Sequence, residues 1–148
     1  MMIIRDILSL KGNTIFSIAP EGLVADAVAT MVKNDIGSLV VMADGVMQGV
    51  LTFREVLRAL DARHGNLGDL PVREVMVRDP LVCVLEDSVD SLRERMTQQH
   101  VRYVPVKEEG KLLGVISFHD IAKAAIKEAS FENRLLKRYI KHWPEEDV

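Results

Sequence analysis

Gly49-Val50-Leu51-Thr52-Phe53-Arg54-Glu55 and Gly114-Val115-Ile116-Ser117-Phe118-His119-Asp120 are one string written twice, 65 residues apart. Working outward, the offset holds without a gap across residues 14–62: Glu21 falls on Glu86, Val24 on Val89, Met31 on Met96, Val41 on Val106 and Gly45 on Gly110. A register kept over that length is an internal duplication. Further upstream the offset becomes 68, where Ile4-Arg5-Asp6-Ile7-Leu8 matches Val72-Arg73-Glu74-Val75-Met76. Each half therefore begins with a short lead-in, and the first half carries three extra residues around Lys11-Gly12-Asn13.

Inside a half, the hydrophobic period changes in a fixed order. Residues 14–18 are rich in β-branched side chains and predict a strand, and Val24, Ala27, Val28, Met31 and Val32 then recur at helical spacing. Two apolar runs, 38–42 and 46–51, meet across Ala43-Asp44-Gly45, a hairpin signal because glycine accepts positive φ. The second half repeats the hairpin with Glu109-Gly110, and second helices begin near Phe53 and Phe118. The order is β-α-β-β-α, twice. One such unit of about 60 residues buries too little apolar surface to stand alone, so the two are expected to pack sheet to sheet about a pseudo-twofold axis.

Gly65, Asn66, Gly68 and Pro71 punctuate the junction. The sequence thus divides into a first repeat with its lead-in (1–64), a linker (65–71), a second repeat (72–128) and a helical extension with tail (129–148). From residue 121 to 143 a single long amphipathic helix is predicted, with Ile121, Ala125, Ala129, Leu135, Leu136, Tyr139 and Ile140 on one side and Arg134, Lys137, Arg138 and Lys141 between them. A helix that outgrows its module needs something to lie on. Pro144 and the acidic Glu145-Glu146-Asp147 are expected to fray.

Composition sets outer limits. The chain has 148 residues, 48% of them apolar, and a formal net charge of −3, which argues against a protein devoted to nucleic acid. The single Cys83 excludes an internal disulfide framework and a multi-cysteine zinc site; its place in a predicted buried strand makes it a small hydrophobe. His64, His100 and His142 have no partner at metal-ligand spacing, so no metal is expected. The opening Met-Met-Ile-Ile-Arg-Asp lacks the apolar core of a signal peptide, and no run approaches the ~18 apolar residues that span a bilayer. A cytoplasmic protein without membrane contact is expected.

The paired strings, with Ile15-Phe16-Ser17-Ile18-Ala19-Pro20-Glu21, Ile36-Gly37-Ser38-Leu39-Val40-Val41 and Val101-Arg102-Tyr103-Val104-Pro105-Val106, resemble a tandem pair of cystathionine-β-synthase-like (CBS) domains, the Bateman module. The resemblance covers about residues 1–128. It implies an α/β (α+β) fold, reversible binding of an adenine nucleotide (AMP, ADP, ATP or NAD, with S-adenosylmethionine as an alternative), no catalysis and no catalytic cofactor. It also implies a homodimer, and a protein target of unknown identity is compatible with it.

The resemblance further implies two shared clefts. In one, Val115, Ser117, His119 and Asp120 meet Thr14, Phe16, Ile36 and Gly37: Ser117 and His119 facing phosphate, Asp120 holding ribose, and Phe16, Ile36 and Val115 enclosing the base. In the other, Val50, Thr52, Arg54 and Glu55 meet Leu81, Val101, Arg102 and Tyr103, with Glu55 standing where the family has aspartate and with different occupancy expected. The chemistry suits the residues. The motif glycine lets a ligand near the backbone, a hydroxyl and helix-start amides meet phosphate, and a carboxylate one turn on accepts from ribose hydroxyls.

Each of these residues also has a plainer reading. Asp120 can complement the helix dipole and Ser117 can cap the helix, with no ligand involved. His119 and Arg102 can be surface groups, and Phe16 can be core. An interaction scaffold with vestigial clefts is the competing function. An enzymatic reading fails on geometry: His119 and Asp120 are adjacent on a helix, about 100° apart, and cannot act as a base and its orienter.

Overall fold

The computed structural model describes residues 1–141. The elements run α1 (Ile4–Lys11), β1 (Ser17–Ile18), α2 (Val24–Asn34), β2 (Ser38–Ala43), β3 (Val46–Thr52), α3 (Phe53–Ala62), a 3₁₀ turn (Val72–Glu74), α4 (Val89–Gln99), β4 (Tyr103–Glu108), β5 (Lys111–Ser117) and α5 (Phe118–Lys141). In the hairpins the duplication is reproduced residue by residue. β2 pairs with β3 from Ser38↔Thr52 and β4 with β5 from Tyr103↔Ser117, and both hairpins shift register at the same place, after Val41 and after Val106. The turn residues Asp44, Gly45, Glu109 and Gly110 all have positive φ, as a two-residue primed turn demands. Asp35 and His100 close α2 and α4 in the left-handed conformation.

The two sheets nonetheless differ, and a proline explains it. β1 lies parallel to β2, and the Val40 amide donates to the Phe16 carbonyl at 3.0 Å. The residue 65 on from Val40 is Pro105, which has no N–H to donate to Leu81, the counterpart of Phe16. Only the bridge Cys83↔Val106 remains, so the second sheet is two-stranded. The first strand is also shorter than the 14–18 predicted: Thr14 and Ile15 lie ahead of the sheet, Phe16 joins it only through its carbonyl, and all three line a cavity. The predicted helix to residue 143 is present to Lys141; His142, Trp143 and the tail expected to fray lie outside the described residues.

Core packing crosses the covalent division. Ile4 and Ile7 of α1 are buried with Cys83, Leu92, Met96, Val104, Ile116 and Ile121 of the second repeat. Reciprocally, Leu70 and Val72 are buried with Val24, Leu39, Leu51 and Val56 of the first. Backbone bonds fix both exchanges: the Ile4 amide donates to Asp87 at 2.9 Å, and the Val72 amide to Gly22 at 2.8 Å. Each lead-in thus completes the other repeat's core, which ties the pair into one unit. Cys83 is 2% exposed, and burial, with the Asp87 charge adding and Arg95 opposing, pushes its thiol up to about 12. It stays a protonated apolar filler at neutral pH.

Candidate functional site

Each β-β-α unit ends its second strand on a hydroxyl residue that starts the following helix. Ser117 Oγ accepts the Asp120 amide at 3.0 Å while the Ser117 amide donates to Asp120 Oδ2 at 2.8 Å. At the equivalent place the Thr52 amide donates to Glu55 Oε1 at 3.0 Å. These are reciprocal capping pairs, which satisfy donors that a helix start otherwise leaves open. The plainer reading of Ser117 and Asp120 as cap residues therefore describes real bonds. Both helix starts open onto cavities between the repeats.

The larger cavity, about 740 Å³, is lined by Thr14, Phe16, Ile36, Gly37, Val115, Ser117 and His119, seven of the eight residues assigned to the first cleft from sequence. Phe16, Ile36 and Val115 supply apolar wall; Ser117 and His119 stand at the start of α5. Asp120 does not line this cavity. It faces a smaller neighbouring one of about 280 Å³, and its carboxylate is held by Lys11 Nζ at 2.6 Å. Burial alone would push that carboxyl up, but the bonds from Lys11 and Ser117 and the Lys11 charge outweigh it and hold it below its ordinary value.

The second cavity, about 250 Å³, is lined by all eight residues assigned to the second cleft: Val50, Thr52, Arg54, Glu55, Leu81, Val101, Arg102 and Tyr103. Three of its polar residues are engaged within the chain. Thr52 Oγ1 donates to Glu55 Oε1 at 2.8 Å, and Arg54 donates to the carbonyl of His100. The two cavities share one wall, formed by Phe53, Arg102 and Tyr103. Tyr103 meets the Phe53 ring edge-on at 6.3 Å between centroids, and the Arg102 guanidinium lies 5.3 Å from the centre of Phe53. Burial pushes the Tyr103 phenol up, with Arg102 opposing.

The motif glycines do something other than expected. A Cβ on Gly49 would lie 2.4 Å from the Val77 carbonyl, and one on Gly114 would lie 3.0 Å from Leu8 Cδ2. Neither glycine lines a described cavity; each admits a lead-in segment. The glycine that does face the larger cavity is Gly37, where a Cβ would meet Tyr103 Oη at 2.1 Å. Lys11 was missed as a site residue. The signal for it was the three-residue insertion, which has no counterpart in the second half and delivers an ammonium to the cleft.

Among the described residues no cluster of His, Cys, Asp and Glu is arranged to hold a metal, and no helix is long and apolar enough to cross a membrane.

Comparison with known proteins agrees with this fold. The CBS-domain-containing protein ATU1752 from Agrobacterium tumefaciens superposes with a TM-score of 0.81 at 32% identity, over 84% of this chain and 99% of that one. The fold is also that of CBSX2 in complex with AMP (TM-score 0.72, 22% identity, 87% of this chain and 99% of that one). It is likewise that of the CBS domain pair of MJ0100 in complex with 5′-methylthioadenosine and S-adenosyl-L-methionine (0.75, 19%, 86% and 98%). The CBS domain family model matches residues 4–62 and again 72–127, so the chain belongs to the CBS domain family as a tandem pair.

Proposed function

We propose that this chain is a sensor that reversibly binds an adenine nucleotide, AMP, ADP, ATP or NAD, in the larger cleft, without chemistry on it. The observation that carries this reading is the cavity itself. Two repeats jointly enclose about 740 Å³, a volume in the range of small-ligand sites, with apolar wall on one side and a helix start bearing a serine hydroxyl and a histidine on the other. The Ser117, Phe118 and Asp120 amides at the start of α5 are taken within the chain, but Ser117 Oγ uses its acceptor side on the Asp120 amide, which leaves its hydrogen for a phosphate oxygen. The adenosine moiety is common to the ligands of CBSX2 and of the MJ0100 pair, which supports the nucleoside part most directly and keeps S-adenosylmethionine as an alternative. A ligand touching both repeats changes their relation in proportion to its differential affinity for two arrangements, which is what a regulatory module requires.

Titration of ligand-stripped protein with AMP, ADP, ATP and NAD by calorimetry tests this. Saturable binding is expected, weakened about tenfold for AMP by Ser117→Ala, the effect of one charge-assisted hydrogen bond. Silence toward all four at millimolar concentration removes the reading.

One observation favours a second role beside the first. Past the packed residues Ile121 and Ala124, α5 presents Phe131, Leu135, Leu136, Tyr139 and Ile140 largely exposed. We propose that this stripe supports homodimerisation. Truncation after Ala129 should convert a dimer to a monomer in sedimentation while AMP binding persists; an unchanged sedimentation coefficient per residue count would remove the helix from the interface.

A further inference from the structure

The residue that the resemblance assigns to ribose is occupied. Lys11 Nζ donates to Asp120 Oδ2 at 2.6 Å and to the Val115 carbonyl at 2.8 Å, and Lys11 lines both the nucleotide-sized cavity and the neighbouring one that Asp120 faces. Oδ2 also accepts the Ser117 amide, so this oxygen serves two donors. In the second cleft the corresponding carbonyl, that of Val50, is covered by the backbone amide of Val77 at 2.8 Å. A side chain has replaced a backbone bridge. The difference is mechanical: a bridge held by two backbone bonds opens only with its segment, whereas a lysine on the last turn of α1 leaves by rotating its own torsions.

We propose that Lys11 is a displaceable latch on Asp120, exchanged for the ribose hydroxyls when a nucleoside enters the cleft. The proposal rests on the nucleotide-sensor reading above. Binding then has two linked consequences. The carboxylate trades an ammonium for neutral donors, and the end of α1 loses its bonds to the second repeat. Because Ile4 and Ile7 remain buried, the loosening is confined to the last turn of α1 and the insertion that follows. A freed ammonium in the same cavity favours a ligand that brings its own negative charge. The latch therefore acts as a specificity device: a neutral nucleoside bears the loss of the ion pair, while a phosphorylated one offers the lysine a new partner. Lys123 and Lys127, which line the cavity Asp120 faces, keep that carboxylate in a positive surrounding after release.

The test is calorimetry of the parent and Lys11→Met with adenosine and with AMP, joined to hydrogen exchange of the parent with and without saturating AMP. Lys11→Met should bind adenosine about threefold more tightly, the scale of an ion pair with one well-exposed partner, and should gain less, or lose, for AMP. The Gly12 amide, which caps α1 by donating to the Leu8 carbonyl at 2.9 Å, should exchange faster in the AMP-saturated parent. Unchanged adenosine affinity in Lys11→Met marks the lysine as a structural staple, weaker adenosine binding marks it as a positioning group for Asp120, and unaltered Gly12 exchange shows that α1 is not released; each overturns the latch while the sensor reading stands. Failure of the parent to bind any adenine nucleotide instead removes the sensor reading, and the latch with it.

Discussion

The two clefts descend from one duplicated string, and the structure shows how few residues make them unlike. On one side the lead-in folds as only a 3₁₀ turn, after which Val77 and Val50 exchange two backbone hydrogen bonds at 2.8 and 2.9 Å, and the cavity is about 250 Å³. On the other, three added residues let the lead-in complete an eight-residue helix; no such bridge forms at Val115, a lysine covers its carbonyl, and the cavity is about 740 Å³. The polar groups diverge as well. Thr52 has given its hydroxyl hydrogen to Glu55, whereas Ser117 receives the Asp120 amide and keeps its own. An insertion distant in sequence from the motif and one methylene within it separate a small groove from a large one.

The sharpest way to break this comparison is at the paired glycines. Gly49→Ala drives a methyl to 2.4 Å from the Val77 carbonyl, a backbone atom that already accepts the Val50 amide and cannot retreat without losing it. The expected cost is roughly 2–4 kcal/mol in urea-unfolding free energy. Gly114→Ala meets only the far end of Leu8 at 3.0 Å, and a side-chain shift absorbs it for under about 1 kcal/mol. Equal losses in the two variants would mean that the lead-in packs equally tightly against both strands, and the account of their different volumes would fail.

Much of this was open to a reader of the sequence, because duplication is a statement about register and register survives without coordinates. The offset of 65 placed every hairpin, both turns and both helix starts, while the family resemblance grouped the candidate cleft residues into two sets; all of them but Asp120 line the corresponding cavity. What stayed hidden is what pairwise identity does not encode. A lead-in looks attached to the repeat it precedes, yet Ile4 and Ile7 are buried in the second core and Val72 in the first. A glycine at a strand end signals close approach without saying by what, and here the visitor is the lead-in chain. The shortening of the second sheet was written in Pro105, whose missing amide becomes visible only when Val40 is known to donate to Phe16. Lys11 and Asp120 lie more than a hundred positions apart, and no local pattern joins them.

The comparison can also be sharpened by exchanging the one methylene. Asp120→Glu places in the larger cleft the side chain that the smaller cleft carries. Glu55 shows its reach: Oε1 lies 3.0 Å from the Thr52 amide and 2.8 Å from the Thr52 hydroxyl, taking both donors. A glutamate at 120 should do the same to Ser117, reversing the hydroxyl so that its hydrogen points at the carboxylate and only a lone pair faces the cavity. Two acceptors then confront each other where a phosphate oxygen would have met a donor. AMP affinity should fall about fivefold, while stability stays within about 0.5 kcal/mol because the reciprocal cap is conserved. The reverse change, Glu55→Asp, returns the Thr52 hydrogen to its groove but leaves the Val50–Val77 bridge in place, so no new AMP site should appear there. Calorimetry on the two variants reads both outcomes. Unimpaired AMP binding by Asp120→Glu would show that the hydroxyl's direction is immaterial, and the distinction between the clefts would then rest on volume alone.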